Sequence, residues 1–219
     1  MNAKRLLIYL IGILLLAFGL SLNVKSYLGV APILTLPGVI ARILHFDFSM
    51  MLFFFYVIFI LMQMLLKGKR FKAMDWLQFP IGLLVTRIVA FFTAIIPTTE
   101  DTSLIVRFLV LAAAIIVTGV GVAVSVSMDM APNPADGLAN ALGERFALGL
   151  GMGKNIVDIT SVVIAFIIGM CKYHNLGTIG IGTLLAGLLV GRVIACFNHL
   201  YGQKLKLFAG IKKEEECGK

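Results

Sequence analysis

Charge is scarce in this chain: Asp, Glu, Lys and Arg make up only 14% of 219 residues. Soluble domains carry about 25%. That shortfall excludes a soluble globular protein, and a disordered chain even more firmly. Cysteine is equally sparse. Cys171, Cys196 and Cys217 form no CxxC pair and no disulfide framework. The first two sit in apolar runs, where Cys behaves as a small hydrophobe. The histidines, His45, His174 and His199, are scattered without metal-ligand spacing. There is no Walker loop, no GxSxG and no HExxH. No cofactor and no metal ion are therefore expected, and no enzyme activity.

What is abundant is apolar. Hydrophobic residues reach 60% and the mean hydropathy is +1.01. A spanning helix needs about 20 mostly apolar residues. Leu6 to Val24, Phe48 to Leu66 and Phe108 to Met128 qualify without a charge. Trp76 to Thr99 contains only Arg87, Asn155 to Cys171 only Asp158, and Leu176 to Phe197 only Arg192. The first run follows Lys4-Arg5 but leads to no small-x-small cleavage site, so it reads as a retained helix rather than a signal peptide. Two stretches remain. Ser26 to Ala41 carries Pro32 and Pro37; Met130 to Gly143 carries Pro132, Pro134 and Asp136. Their length and prolines argue against full spans, and for re-entrant or interfacial segments.

The chain repeats itself. Gly82-Leu83-Leu84-Val85-Thr86-Arg87-Ile88-Val89-Ala90 returns 105 residues later as Gly187-Leu188-Leu189-Val190-Gly191-Arg192-Val193-Ile194-Ala195. Gly19 and Pro32 return as Gly121 and Pro134, at a shift of 102. Both halves read as long helix, proline segment, long helix, then a long helix with a central Arg. Three spans per unit force the two units into opposite orientations, as in many transporters.

Loop charges favour the same arrangement. With the amino terminus inside and six spans, the inner side holds Lys4, Arg5, Lys67, Lys69, Arg70, Lys72, Arg145 and Lys154, besides five lysines of the tail. The outer side holds Lys25, Arg42, Arg107 and Lys172. Leaving out the tail this is eight against four; eight spans would give six against six. The net charge of +8 is then mainly an orientation signal rather than a nucleic-acid footprint. The segment Pro97 to Asp101 falls outside, and the tail from Lys204 lies in the cytoplasm against water or anionic lipid.

Few residues are left to carry chemistry. Arg87 is twelfth in its 24-residue run, near the bilayer midplane, where Arg costs about 2.5–3.5 kcal/mol. It is expected to face the bundle interior or water, with Arg192 as its mate. Asp158 stands four residues after Lys154, a spacing that permits a local pair. The sharper alternatives are an ion pair with Arg192 or a proton-coupling carboxylate. In Pro132-Asn133-Pro134-Ala135-Asp136-Gly137-Leu138, Asp136 is placed as a helix N-cap. If that segment is re-entrant, its amides point to the membrane centre and attract anions. Asn133-Pro134-Ala135 spells the aquaporin tripeptide, but once only and in a different helix order. Asp136-Gly137 with Asp158 is a fragment of the CDP-alcohol phosphotransferase signature, whose other acids are missing. Gly82, Thr86 and Ala90, with Gly187, Gly191 and Ala195, form small-xxx-small faces for close helix packing, within one chain or between copies. Gly177, Gly180 and Gly182 add permissive backbone before the last helix.

Leu28-Gly29 with Pro32, Pro134-Ala135-Asp136-Gly137-Leu138 and Gly180-Ile181-Gly182-Thr183 resemble the YczE/YyaS/YitT family of bacterial multi-pass membrane proteins, closest to its YczE-like branch. The resemblance runs from about Gly19 to Phe197. It departs at Leu34, where the family often has Asp, and around Trp76 to Phe79, where a Gly-x-Gly-Thr is replaced. It implies a bacterial membrane protein that is transport-like or accessory to biosynthesis, and it names no substrate.

The expectation is an all-α membrane protein of the bacterial inner membrane with both termini cytoplasmic. Its six transmembrane helices form a 3+3 inverted repeat, each half with one proline-containing re-entrant or broken segment. Residues 1–100 form the first repeat, 101–203 the second and 204–219 a polar tail. The expected activity is transport or export of a small anionic or zwitterionic solute, with the bilayer and the solute as partners and no nucleic acid. The expected site is Arg87, Arg192, Asp136, Asp158, Pro134, Gly137 and Asn133. The alternatives are a substrate-binding subunit of a vitamin-uptake complex, which would show a partner-facing first helix, and a non-transporting accessory of a biosynthetic enzyme.

Overall fold

The computed structural model describes residues 3–173 and 179–211. His174, Gly177 and Cys217 lie outside the described residues. The described chain is helical, with short turns of 3-10 and π type. Helix α1 spans Ala3–Lys25, α2 Pro32–Leu44, α3 Phe48–Lys67, α4 Gln78–Ile95, α5 Leu104–Ser127, α6 Pro134–Arg145, α7 Gly149–Tyr173, α8 Ile181–Phe197 and α9 Gln203–Phe208. Among them are 6 segments long and apolar enough to cross a membrane: α1, α3, α4, α5, α7 and α8 with its continuation to Phe208. This is the architecture of a multi-pass membrane protein. Leu7, Leu65, Phe91, Ile105, Leu109 and Ile167 stay exposed on the outside of the bundle, as side chains that meet lipid do.

The centre of the bundle is α1 against α5, the most extensive contact in the fold. Small residues allow it: a Cβ on Gly12 would stand 2.7 Å from the Ser125 backbone nitrogen, so only glycine lets the two backbones meet. Outside this pair, α4 lies on α1 and α8 on α5. The short helices cross over. Helix α2 lies on α7 as well as α3, and α6 on α3 as well as α7.

Proline sets where the short helices begin. Pro32 and Pro134 each occupy the first helical position, where a missing N–H costs nothing. Neither helix runs the length of the bundle. The start of α2 touches the middle of α8, with Pro32 Cγ 3.3 Å from where a Gly187 Cβ would stand. Its far end packs with Val162, Ala165 and Ile168 of α7 and with Ile179. The start of α6 touches α4 in the same way, with Pro134 Cγ 3.1 Å from a Cβ on Gly82.

Polar ties fix the two ends. At one, Thr99 Oγ1 donates to the Lys25 carbonyl at 2.6 Å, and the Arg107 guanidinium donates to the Ser26 and Tyr27 carbonyls. There the Glu100 carboxylate, hydrogen-bonded to the exposed Tyr27 hydroxyl, raises that phenol above its ordinary pKa. At the other end, Arg5 donates to the Met128 carbonyl at 2.6 Å and the Asp129 carbonyl at 2.7 Å.

One sequence expectation changes and two gain detail. The seventh helix begins at Gly149, so Lys154 is a buried residue of α7 rather than a loop charge. Part of the expected tail is ordered: α9 continues the last span through a π turn, and Ala209 is buried against Tyr9, Ile13, Val85 and Met128. The glycines of the small-xxx-small faces pack inside the chain, Gly82 against Tyr56 and Pro134, Gly191 against Gly151 and Asn155, while Ala90 stays exposed.

Candidate functional site

The bundle holds one group of buried charges among the described residues. Lys154 Nζ of α7 lies 3.2 Å from Asp136 Oδ1 of α6 and 3.2 Å from Asp158 Oδ1, one turn further along α7. All three residues are at most 5% exposed. The sequence places them so. The four-residue spacing puts Lys154 and Asp158 on one helix face. Pro134 starts α6 at a depth that leaves Asp136, at the third helical position, opposite that face. Gly153 has no side chain, and a Cβ there would strike the Ala139 carbonyl, so α6 and α7 approach closely beside Lys154.

Polar neighbours surround the cluster. Asn133 Nδ2 is 3.5 Å from Asp136 Oδ2. The buried Tyr56 phenol of α3 is in hydrogen-bonding contact with the Asn133 side chain and near Asp136. Below the start of α6, Gln63 and Gln78 exchange two 2.9 Å hydrogen bonds, and Gln63 Nε2 also donates to the Pro134 carbonyl at 3.0 Å. These amides and Gly137, whose Cβ would fall 2.7 Å from Gln78 Oε1, fix the short helix against α3.

Lys154 is the partner of Asp136 Oδ1 and of Asp158 Oδ1, and neither oxygen has another. Asn133 Oδ1 and, on α1, Asn23 Oδ1 are buried without partners. Asn23 faces a cavity of about 20 Å³ that it shares with Thr118, Lys154, Asp158 and the first turn of α2 at Pro32 and Ile33. Buried polar atoms normally find partners, so this concentration of buried charge and orphaned amide oxygens makes the cluster the candidate site.

Of the expected site residues, Asn133, Pro134, Asp136, Gly137 and Asp158 come together. The two arginines do not join them. Arg87 and Arg192 are exposed on the outer faces of α4 and α8, against the expectation that they point inward. The buried face of α4 carries Gln78, Gly82 and Val85, and Arg87 lies about 200° around the helix from Val85. Asp158 accordingly pairs with Lys154, and Arg192 is not its partner. Asp136 is not the N-cap either. Asn133 occupies that position without a side-chain cap bond. Sequence reasoning missed Tyr56, Gln63, Gln78 and Asn23, whose only signal is being polar inside apolar runs. It noticed Lys154 but gave it to a loop. No group of three metal-ligating side chains occurs among the described residues.

Residues 3–199 match the profile of DUF6198, a family of unknown function. The chain belongs to the DUF6198 family. An uncharacterised protein of Haemophilus influenzae is 28% identical over 202 residues, covering 90% of this chain and 84% of that protein. No solved structure matches this DUF6198 chain. The comparisons do not extend to the YczE-like branch that its motifs resemble.

Proposed function

We propose that this DUF6198 protein is a proton-coupled membrane transporter of a small solute, and that Asp136, Lys154 and Asp158 form its coupling site. The buried cluster carries the reading. It holds two carboxylates and one ammonium, so with all three ionised it is a net negative charge inside an apolar bundle. Such a charge costs several kcal/mol unless it is neutralised. A proton neutralises it in place. A metal cation would need room and ligands, whereas the adjoining cavity is about 20 Å³ and is flanked by Lys154 and a helix N-terminus, both of which repel cations. Loading and losing that proton would change how tightly α6 is held to α7.

The packing supports an inverted-repeat reading. Every contact of the first four helices has a counterpart: α4 on α1 with α8 on α5, α6 on α3 with α2 on α7, Pro134 on Gly82 with Pro32 on Gly187. In such a fold α2 and α6 are re-entrant from opposite sides and their starts meet the midplane, where transporters bind solute and ion. The loop charges then put both termini in the cytoplasm, and the YczE-like motifs favour a bacterial inner membrane. Ala17 and Ser21 of the first helix are buried within the chain, with Ser21 Oγ donating to the Val89 carbonyl at 3.1 Å. That leaves the vitamin-uptake alternative without its partner-facing stripe.

The test is flux. Proteoliposomes are given labelled small carboxylates, phosphates and amino acids, with and without an inward proton gradient. The reading expects at least one solute to enter, faster with the gradient, and Asp158→Asn to remove the acceleration. No flux of any solute, or a gradient effect intact in both Asp158→Asn and Asp136→Asn, overturns it.

A further inference from the structure

Tyr9, Ser21 and Asn23 are buried polar side chains of α1. Tyr9 donates to the Ala131 carbonyl at 2.7 Å, and Ser21 to the Ala17 and Val89 carbonyls at 2.9 and 3.1 Å. Asn23 differs: it is 3% exposed, and its Oδ1 has no hydrogen-bond partner among the described residues. It faces the cavity of about 20 Å³, where Asp158 and Lys154 of α7 stand across from it and Thr118 of α5 beside it. Gly19 makes room for the Thr118 hydroxyl, since a Cβ at Gly19 would overlap that oxygen. Leu20, Ile33, Ile115, Ala186 and Val190 close the remaining walls.

A buried water needs roughly 10–15 Å³ of such space and two to four polar partners. The cavity has the space. It has the partners as well. Asn23 Oδ1 accepts, and so does Asp158 Oδ1, which otherwise meets only Lys154. Lys154 has three N–H donors, and its contacts to Asp136 and Asp158 leave one more. One water therefore satisfies the set: it donates to Asn23 Oδ1 and to Asp158 Oδ1 and accepts from the Lys154 ammonium. The titratable groups around it are Lys154 and Asp158 of α7, with Asp136 of α6 at the other contact of Lys154.

We infer that this cavity binds one water molecule, that Asn23 is the residue that positions it, and that protons reach Asp158 through it. Asn23 stands about 3 Å of helix rise from Lys25, whose carbonyl accepts from Thr99 at the tied end of α1. The water thus lies on the side of Asp158 that leads to that end of the bundle, which the topology proposed above puts outside. A hydronium formed at this position gives its proton to the Asp158 carboxylate and reverts to water, so an inward gradient loads the cluster from that side. As a proton route this rests on the transporter reading. As a hydration site it does not.

Magnetisation transfer from water to methyl groups, measured by NMR on the methyl-labelled full chain in detergent micelles, tests it. Ile33 and Ile115 line the cavity and are buried, so bulk water does not reach them. Wild type should show a water cross-peak at both. Asn23→Leu keeps the shape and removes the acceptor, and should lose both cross-peaks. Asn23→Ser keeps an acceptor and adds room, and should retain them. In proteoliposomes Asn23→Leu should also lose most of the acceleration of solute entry by the proton gradient. Absence of the cross-peaks in wild type overturns the site. So do undiminished cross-peaks in a folded Asn23→Leu protein, which would trace them to the Lys154 and Thr118 protons. Cross-peaks lost with the acceleration intact in Asn23→Leu overturn the proton route. Water cross-peaks without flux would retain the hydration site and remove the transporter reading.

Discussion

The Lys154 ammonium lies 3.2 Å from the Asp136 carboxylate, and this ion pair joins α6 to α7 inside the bundle. Removing its positive partner leaves two carboxylates facing one another without a cation. Lys154→Met is expected to cost about 3–5 kcal/mol, the range for breaking a buried pair. Thermal unfolding in detergent measures it. The double variant Lys154→Met with Asp158→Asn should recover part of the loss, since it restores the charge balance. Equal melting of wild type and Lys154→Met would mean that the cluster is solvated.

The Gln63–Gln78 pair predicts a coupled loss. Each amide satisfies the other, and Gln63 also serves the Pro134 carbonyl. Gln63→Leu should cost about 1–3 kcal/mol because it strands buried polar groups. Gln63→Leu with Gln78→Leu should cost less than the sum of the single changes, and a double-mutant cycle on unfolding reads the difference. Strict additivity would separate the two residues.

The exposed arginines predict the opposite of a site. Arg87→Leu and Arg192→Leu take a charge off lipid-facing helix surfaces. Each should leave transport intact and raise stability, by up to about 3 kcal/mol at the helix centre. Chemical denaturation in mixed micelles gives the sign. Loss of flux in either folded variant would return that arginine to the solute pathway.

Topology predicts a labelling pattern. Lys69→Cys and Glu100→Cys should react with a membrane-impermeant maleimide from opposite sides, Lys69 from the cytoplasm. Labelling of both from one side would remove the six-span arrangement and the inverted repeat with it.

Much of this architecture is legible before any coordinates. Long uncharged runs announce α1, α3 and α5, and Pro32 and Pro134 announce two helices too short to span. The start of α7 is not legible, because Leu148-Gly149-Leu150-Gly151-Met152-Gly153 reads as a loop by propensity, while packing makes it helix. That misreading sent Lys154 to the surface. Asp136 and Asp158 stood out as acids in apolar surroundings, but their meeting depends on α6 docking against α7, which no local pattern encodes. The arginines misled for the reverse reason. A charge at mid-span suggests an inward site, yet the spacing of Gly82 and Val85 already places Arg87 on the far face.

The most direct measurement is infrared difference spectroscopy of the reconstituted protein across a pH titration. A coupling cluster with one proton predicts a protonated-carboxyl band at neutral pH that disappears on alkalinisation. The band should be shifted or lost in Asp158→Asn or Asp136→Asn, and unchanged in Asp47→Asn. A spectrum without that band, or one that neither cluster substitution alters, would contradict the account.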